Sequence, residues 1–276
     1  MSGEHARLVD EMAEAAREAG EAILRVVRRG FDVDIKRDCS PVTEADHAAE
    51  LVILAALARA APGVPVIAEE QASAGKIPAH GDTFFLVDPL DGTKEFIRGG
   101  DDYTVNIGLI ENGEPRLGLV FSPATGRLHG GIAGEGAWLD EGCGRQPIRT
   151  RPRGDAMTAV ASKSHLNQAT IDYLAAAAGT CDYVSVGSSL KFCIVAEGLA
   201  DIYPRAAPTC EWDTAAGHAV LRAAGGIVDG PDGSALRYGK PEYFNRAFVA
   251  TAGWKAPALE PFLEPSAGGG ELSEGV

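Results

Sequence analysis

The chain has 276 residues, 45% hydrophobic and 23% charged, with 34 glycines and 16 prolines, a make-up that excludes collagen, coiled coil and wholesale disorder. Its 25 Lys and Arg against 39 Asp and Glu leave a net charge of −14, so its surface repels nucleic-acid backbones and anionic lipid. No run approaches the roughly 18 apolar residues of a membrane span, and the N-terminal MSGEHARLVDEMAEAAREAG is charged where a signal peptide needs an apolar core. The expectation is a cytoplasmic protein without stable membrane insertion, with peripheral association at the inner membrane left open. Cys39, Cys143, Cys181, Cys193 and Cys210 are widely spaced without a Cys-x-x-Cys pair, which reads as reduced thiols and not as zinc ligands or disulfides.

In chain order, the apolar residues from Leu8 to Val27 recur at helical spacing and Gly30 follows as a stop, giving an amphipathic helix. A second helix is predicted from Thr43, its N-cap, to Pro62. The runs VPVIA, TFFLVD, YTVNIGLIE, RLGLVF and RLHGGIA then read as strands joined by short turns, which favours an antiparallel sheet. After the loop GCGRQPIRTRPRGDA the texture alternates: strand MTAVAS, helix LNQATIDYLAAAA, strand DYVSV, helix SSLKFCIVAE, strand ADIY, helix WDTAAGHAVLRAA and a strand near GGIVD. The fold class is therefore mixed α/β, with an α+β first half and an α/β second half. The expected units are residues 1–150 and 151–264 packed about a shared site, with 265–276 as a disordered tail.

The chemistry concentrates in FFLVDPLDGTKEF. An apolar strand is expected to end at Asp88, where Pro89 breaks the ladder, and Asp91-Gly92-Thr93 opens a turn into a helix. Two carboxylates three residues apart, with a backbone carbonyl freed from pairing between them, suit a hard cation such as Mg²⁺, and Gly92 with the following amides offers donors to a phosphate. Asp-Pro and Asp-Gly are also ordinary turn formers, so this stretch alone decides nothing. Glu69 and Glu70 follow the strand VPVIA, and Asp213 stands at the start of the WDTAAGHAV helix, where it could equally be a cap. Asp46 lies three residues after Thr43 and fits a capping box as well as a functional role.

VIAEE, VDPLDGTKEF and WDTAAGHAV, in that order, resemble the three signature segments of the inositol monophosphatase superfamily of Mg²⁺-dependent phosphatases. GSSLKFCIVAEGLADIYPR and TKEF resemble the CysQ-type 3′(2′),5′-bisphosphate nucleotidases, which remove the 3′-phosphate of adenosine 3′,5′-bisphosphate to leave AMP and act also on its phosphosulfate. The resemblance runs from about residue 8 to 255 and implies a layered αβαβα sandwich and sulfur metabolism as the setting. It implies that Glu69, Asp88, the Leu90 carbonyl, Asp91 and Asp213 hold two or three Mg²⁺, which neutralise the phosphate, activate a water and stabilise the leaving oxygen. Glu69 would help to activate that water, and Thr93, hydrogen-bonded to Asp46, would orient it. Residues matching Gly92, Thr93, His165, Ser188, Lys191, Arg205 and Asp213 contact the substrate, with Lys191 and Arg205 at the second phosphate.

Each of these positions has a plainer reading. His165 could bond a helix start, Arg205 could be an ion-pair partner, and Glu70 reads as a supporting or surface acid. Lys94 is close in sequence but of unknown direction, and His218 is expected to pack. His5, His47, His80 and His129 carry no context. Within the superfamily, inositol monophosphatase and fructose 1,6-bisphosphatase remain alternatives, and a nucleotide or metal sensor is the non-enzymatic one. A haloacid-dehalogenase-type phosphatase needs Asp-x-Asp-Gly-Thr, one residue shorter than Asp88-Pro89-Leu90-Asp91-Gly92-Thr93, and there is no dinucleotide or P-loop glycine pattern. The expected partner is a small phosphorylated substrate, not a nucleic acid, and the chain is expected to be a monomer or homodimer.

Overall fold

The computed structural model describes residues 2–36, 41–162 and 166–264. Cys39, His165 and the tail from residue 265 lie outside the described residues. Helix α1 (Ser2–Arg29) buries Val9, Met12, Ala16, Ala19, Ile23 and Val26, the stripe that its 3.6-residue period aligns. A short hairpin of β1 (Val33–Ile35) and β2 (Pro41–Thr43) leads into α2 (Glu44–Ala60). Thr43 caps α2 reciprocally with Asp46: the Ala45 N–H donates to Thr43 Oγ1 at 3.1 Å, and the Thr43 N–H donates to Asp46 Oδ2 at 2.8 Å.

A seven-stranded sheet follows, its strands side by side in chain order: β3 (Val66–Ala68), β4 (Thr83–Asp91), β5 (Thr104–Glu111), β6 (Glu114–Ser122), β7 (Arg127–Ile132), β8 (Gly136–Asp140) and β9 (Arg145–Ile148). β3 runs parallel to β4, and every later pair is antiparallel. Two short helices, α3 (Glu69–Ser73) and α4 (Thr93–Ile97), sit at the ends of β3 and β4. The second part holds β10 (Thr158–Ser162), α5 (Gln168–Ala178), β11 (Asp182–Val186), α6 (Leu190–Ala196), β12 (Ile202–Arg205), β13 (Thr209–Cys210), α7 (Trp212–Ala223), β14 (Ile227–Asp229), β15 (Phe244–Asn245) and β16 (Phe248–Thr251). Its main sheet has the order β11-β10-β12-β16-β14, parallel among β10, β11 and β12 and antiparallel at β16.

Strand alternation turns these sheets into layers. Phe85 and Val87 of β4 face α1 and α2, while Phe84 and Leu86 face α6 and α7. On the second sheet, Tyr203 of β12 and Phe248 of β16 meet the same two helices from the other side, and Ile202 and Val249 turn outward to α5. The result is helix, sheet, helix, sheet, helix: an αβαβα sandwich of mixed α/β class. Each large apolar side chain that is fully buried in these layers contributes roughly 2 kcal/mol or more. α7 runs so close to β6 that a Cβ on Gly118 would lie 2.2 Å from the Ala216 carbonyl oxygen.

Two local expectations are corrected. β4 does not end at Asp88: its pairing passes from Asp88 opposite Asn106 to Asp91 opposite Thr104, so Pro89 and Leu90 face Val105 as a bulge and the strand resumes. Proline lacks a ladder donor, but a bulge does not ask for one. The stretch GCGRQPIRTRPRGDA is not all loop, because Arg145–Ile148 forms the edge strand β9. Cys143, Cys181, Cys193 and Cys210 are free thiols, and among the described residues no helix is long and apolar enough to cross a membrane.

Candidate functional site

The bulge in β4 gives the site its shape. Asp88 is buried at the last regular pair of the strand, with the Leu90 N–H donating to its Oδ1 at 3.0 Å. Asp91 emerges two residues after the bulge begins, and Gly92 then turns the chain into α4 with a φ of +94°. A side chain at Gly92 would put a Cβ 2.7 Å from the Asp102 carbonyl oxygen, so both its backbone angle and its surroundings call for glycine. Thr93 Oγ1 lies 3.3 Å from Asp46 Oδ1 and 3.1 Å from the Leu90 carbonyl oxygen, bringing the first turn of α2 onto the bulge. Asp46 thus caps its helix and meets Thr93 at once.

A cavity of about 230 Å³ opens above these residues, between the end of the large sheet and the starts of α6 and α7. Its lining includes the carboxylates Glu69, Asp91 and Asp213 with Gly92 and Thr93, and also Ser188, Lys191 and Arg205. Asp88 and Asp46 are buried and do not line it. Lys94, whose direction was open from the sequence, does line it, while Glu70 does not. Asp213 is the second residue of α7, not its cap, and its Oδ2 accepts from Thr209 Oγ1 and from the Cys210 N–H.

Burial, and then repulsion from Glu69, Asp91 and Asp213, pushes the Asp88 carboxyl well above the ordinary carboxylate range. Burial likewise raises Glu69 to about 7, against the pull of Lys36, and raises Asp213 to about 7 with Asp91 adding to the rise. The same carboxylates therefore repel one another in a poorly solvated place. Burial lowers Lys191 to about 8, Asp91 opposing and Arg205 reinforcing the shift. The Lys191 ammonium sits 5.5 Å from the Tyr203 ring centroid and donates to the Ser188 carbonyl. Arg205 donates to the Ala207 and Pro208 carbonyls at 3.2 and 3.1 Å, contacts that involve no ion pair. Ser188 has a φ of +48°, the left-handed region for a residue with a side chain, and its Oγ lies 3.3 Å from Thr104 Oγ1.

By donor chemistry the acid cluster fits a hard divalent cation, since it offers carboxylate oxygens and the Leu90 carbonyl in a place where burial and mutual repulsion disfavour the charge of Asp88 and Asp213. By spacing it is not a finished cage: among the described residues no three His, Cys, Asp or Glu side chains are grouped as metal ligands. Their present partners account for that. Lys36 Nζ donates to Glu69 Oε1 at 2.7 Å and to Glu70 Oε1 at 2.6 Å, and Thr209 draws on Asp213.

The model of the inositol monophosphatase family matches residues 6–261. The chain belongs to that family. It is 44% identical over 240 residues to the 3′(2′),5′-bisphosphate nucleotidase CysQ of Escherichia coli K12, covering 86% of this chain and 96% of that one. The CysQ crystal structure from Bacteroides thetaiotaomicron superposes with a TM-score of 0.75 at 37% identity, over 89% of this chain and 97% of that one. An inositol monophosphatase structure from Anabaena gives 0.72 at 26% identity, over 92% of each chain.

Several residues in or around this family member's cavity escaped the sequence reading. Lys36 stands in a short exposed strand's wake with no motif around it, yet its side chain is buried against Glu69 and Glu70. Glu70 is itself buried and not a surface acid, and its N–H donates to the buried Glu50 at 2.9 Å. Ser189, Asn106, Thr209 and Tyr203 were also passed over. The period-2 pattern of YTVNIGLIE was the available signal for Asn106, since a polar residue there falls on a buried face. His218 packs as expected, buried beside Tyr238, whose hydroxyl lies 3.0 Å from its Nδ1.

Proposed function

We propose that this chain is a Mg²⁺-dependent phosphomonoester hydrolase that removes the 3′-phosphate of adenosine 3′,5′-bisphosphate in the cytoplasm. The observation that carries this reading is one cavity lined both by the carboxylates Glu69, Asp91 and Asp213 and by the cations Lys191 and Arg205. A monophosphate needs the acid side and its metal alone, whereas a bisphosphate also needs fixed positive charge for the phosphate that is not cleaved. The likeness to curated 3′(2′),5′-bisphosphate nucleotidases supports the same substrate class.

In this reading Glu69, Asp88, the Leu90 carbonyl, Asp91 and Asp213 hold the metal. Bound Mg²⁺ supplies charge neutralisation of the phosphate and a more acidic water for the attack. The chain's own groups then position the reactants. Thr93 gives its proton to Asp46 or to the Leu90 carbonyl, which leaves its oxygen lone pairs to accept from a water in the cavity. Glu69, which lines the cavity, is the group that takes up that water's proton. Gly92 and Thr93 contribute backbone donors to the scissile phosphate, and Ser188, Lys191 and Arg205 bind the rest of the nucleotide, with His165 as a further candidate. Residues 1–150 supply most of the acid side, and residues 151–264 supply Asp213 and the basic side.

The test is phosphate release from adenosine 3′,5′-bisphosphate, inositol 1-phosphate and fructose 1,6-bisphosphate side by side, with Mg²⁺ and with a chelator. Adenosine bisphosphate is expected to give the highest kcat/KM, and the chelator to abolish turnover. A clear preference for inositol 1-phosphate would refute the nucleotidase reading, and turnover in the chelator would refute the metal.

A further inference from the structure

Asp91 and Asp213 come from different parts of the molecule, the first from the end of β4 in the large sheet and the second from the first turn of α7. One side chain reaches both. Ser189, 2% exposed, donates its backbone N–H to Asp91 Oδ2 at 2.6 Å, and its Oγ lies 3.0 Å from that same oxygen and 2.8 Å from the Asp213 carbonyl oxygen. Asn106, buried on β5, donates its Nδ2 to Ser189 Oγ at 2.9 Å. Thr104 Oγ1, 3.1 Å from Asn106 Oδ1, occupies the other end of that amide and fixes which way it faces.

A serine hydroxyl has one proton and two lone pairs. Because Asn106 fills a lone pair, the single proton goes outward to the Asp213 carbonyl or to Asp91. The amide already serves Asp91 at the shorter distance, so the arrangement that satisfies every group sends the hydroxyl proton to Asp213. Ser189 then ties the end of β4 to the start of α7 through two different atoms, one bond each. It does so from the residue that precedes α6, and α6 is pressed against α7 where a Cβ on Gly217 would lie 2.5 Å from the Phe192 ring.

We propose that Ser189 is a positioning residue that fixes the separation of Asp91 and Asp213 and thereby sets the affinity of the site for divalent cation. This rests on the reading of those two carboxylates as metal ligands. Losing the hydroxyl removes the bond to the Asp213 carbonyl and the one from Asn106 and lets α7 drift relative to β4, so Mg²⁺ should bind about five- to tenfold more weakly.

The experiment is isothermal titration of Mg²⁺ into the full-length wild type and the Ser189→Ala variant, with Tm recorded for both and kcat and KM measured at saturating Mg²⁺. The expected result is a five- to tenfold higher Mg²⁺ Kd in Ser189→Ala, with KM for the phosphorylated substrate within about twofold of wild type once Mg²⁺ saturates. A folded Ser189→Ala with wild-type Mg²⁺ affinity overturns the proposal, as does a variant whose Tm falls while its Kd does not rise. Should Ser189→Ala fail to fold, Ser189→Cys keeps the volume, weakens the donor and carries the same expectation. A wild type that binds no Mg²⁺ would refute the ligand assignment itself, which is a different failure from a variant that binds as the wild type does.

Discussion

The end of α6 opposite Ser189 and Lys191 is held by a buried histidine, and this gives a pH-dependent stability that can be measured. His129 of β7 is fully buried, with Nε2 2.8 Å from Glu197 Oε1, the residue that closes α6, while Arg127 donates to the other Glu197 oxygen at 2.7 Å. Burial works against an imidazolium here, but Cys193 and Glu197 outweigh it and lift the His129 pKa from 6.5 to about 10. The folded value lies above the unfolded one, so the stabilisation is complete below pH 6.5 and is lost as pH rises through 10. At ~1.4 kcal/mol per pH unit, the loss between pH 6.5 and 9 is about 3 kcal/mol.

His129→Gln keeps a donor for Glu197 but cannot titrate. Urea unfolding of both proteins at pH 6 and pH 9 should show the wild type's advantage over the variant shrinking by about 3 kcal/mol. Lys191, with its folded pKa lowered to about 8, pulls the other way above pH 8 by making the unfolded state the better proton binder. That contribution is common to both proteins and cancels in the difference. An advantage that stays constant within 1 kcal/mol across this range would refute the charged His129–Glu197 pair.

Two further expectations concern packing and substrate. Gly118→Ala forces a methyl to 2.2 Å from the Ala216 carbonyl oxygen and 2.7 Å from the Ala219 Cβ, so α7 must shift; the expected cost is about 3 kcal/mol, seen as a lower urea midpoint. An unchanged midpoint would mean that α7 moves freely on the sheet. Lys191→Ala should raise KM for adenosine 3′,5′-bisphosphate about tenfold or more while changing KM for a monophosphate far less, and equal effects on the two would remove Lys191 from the second phosphate.

The parts of the fold that could be read in advance were those set by local periodicity. α1, α2 and α5 each carry an apolar stripe that burial in the structure follows, while α7 and the strands β4 to β7 show as apolar runs that are buried almost throughout. β9 was missed because an exposed edge strand with Arg145 and Gln146 has no buried face to impose an alternation. The bulge in β4 was misjudged as an end because proline is ordinarily incompatible with a ladder, and the sequence does not show that β5 would tolerate two residues against one. In the site, acidic residues at strand and helix ends were visible as chemistry out of place. Lys36, Asn106 and Ser189 were not, because what makes them matter is the distant residue that each touches, and none has a local pattern that names it.

Those hidden partners bear on the negative charge of the chain. A net −14 spread over a solvated surface costs little, but burying Asp88 among Glu69, Asp91 and Asp213 is expensive unless something answers the charge. The structure answers it unevenly. Glu69 has a full ammonium in Lys36, whereas Asp91 and Asp213 have neutral donors: the amides of Ser189 and Cys210, and the hydroxyl of Thr209. A hydrogen-bond donor orients a carboxylate without cancelling its charge. Asp91 and Asp213 are thus held in place by neutral donors, with Lys191 and Arg205 acting on them through space, a weaker answer than the ammonium that Glu69 receives. The same carboxylates that make the chain a poor partner for a polyanion therefore suit it to a small phosphate carried in with metal.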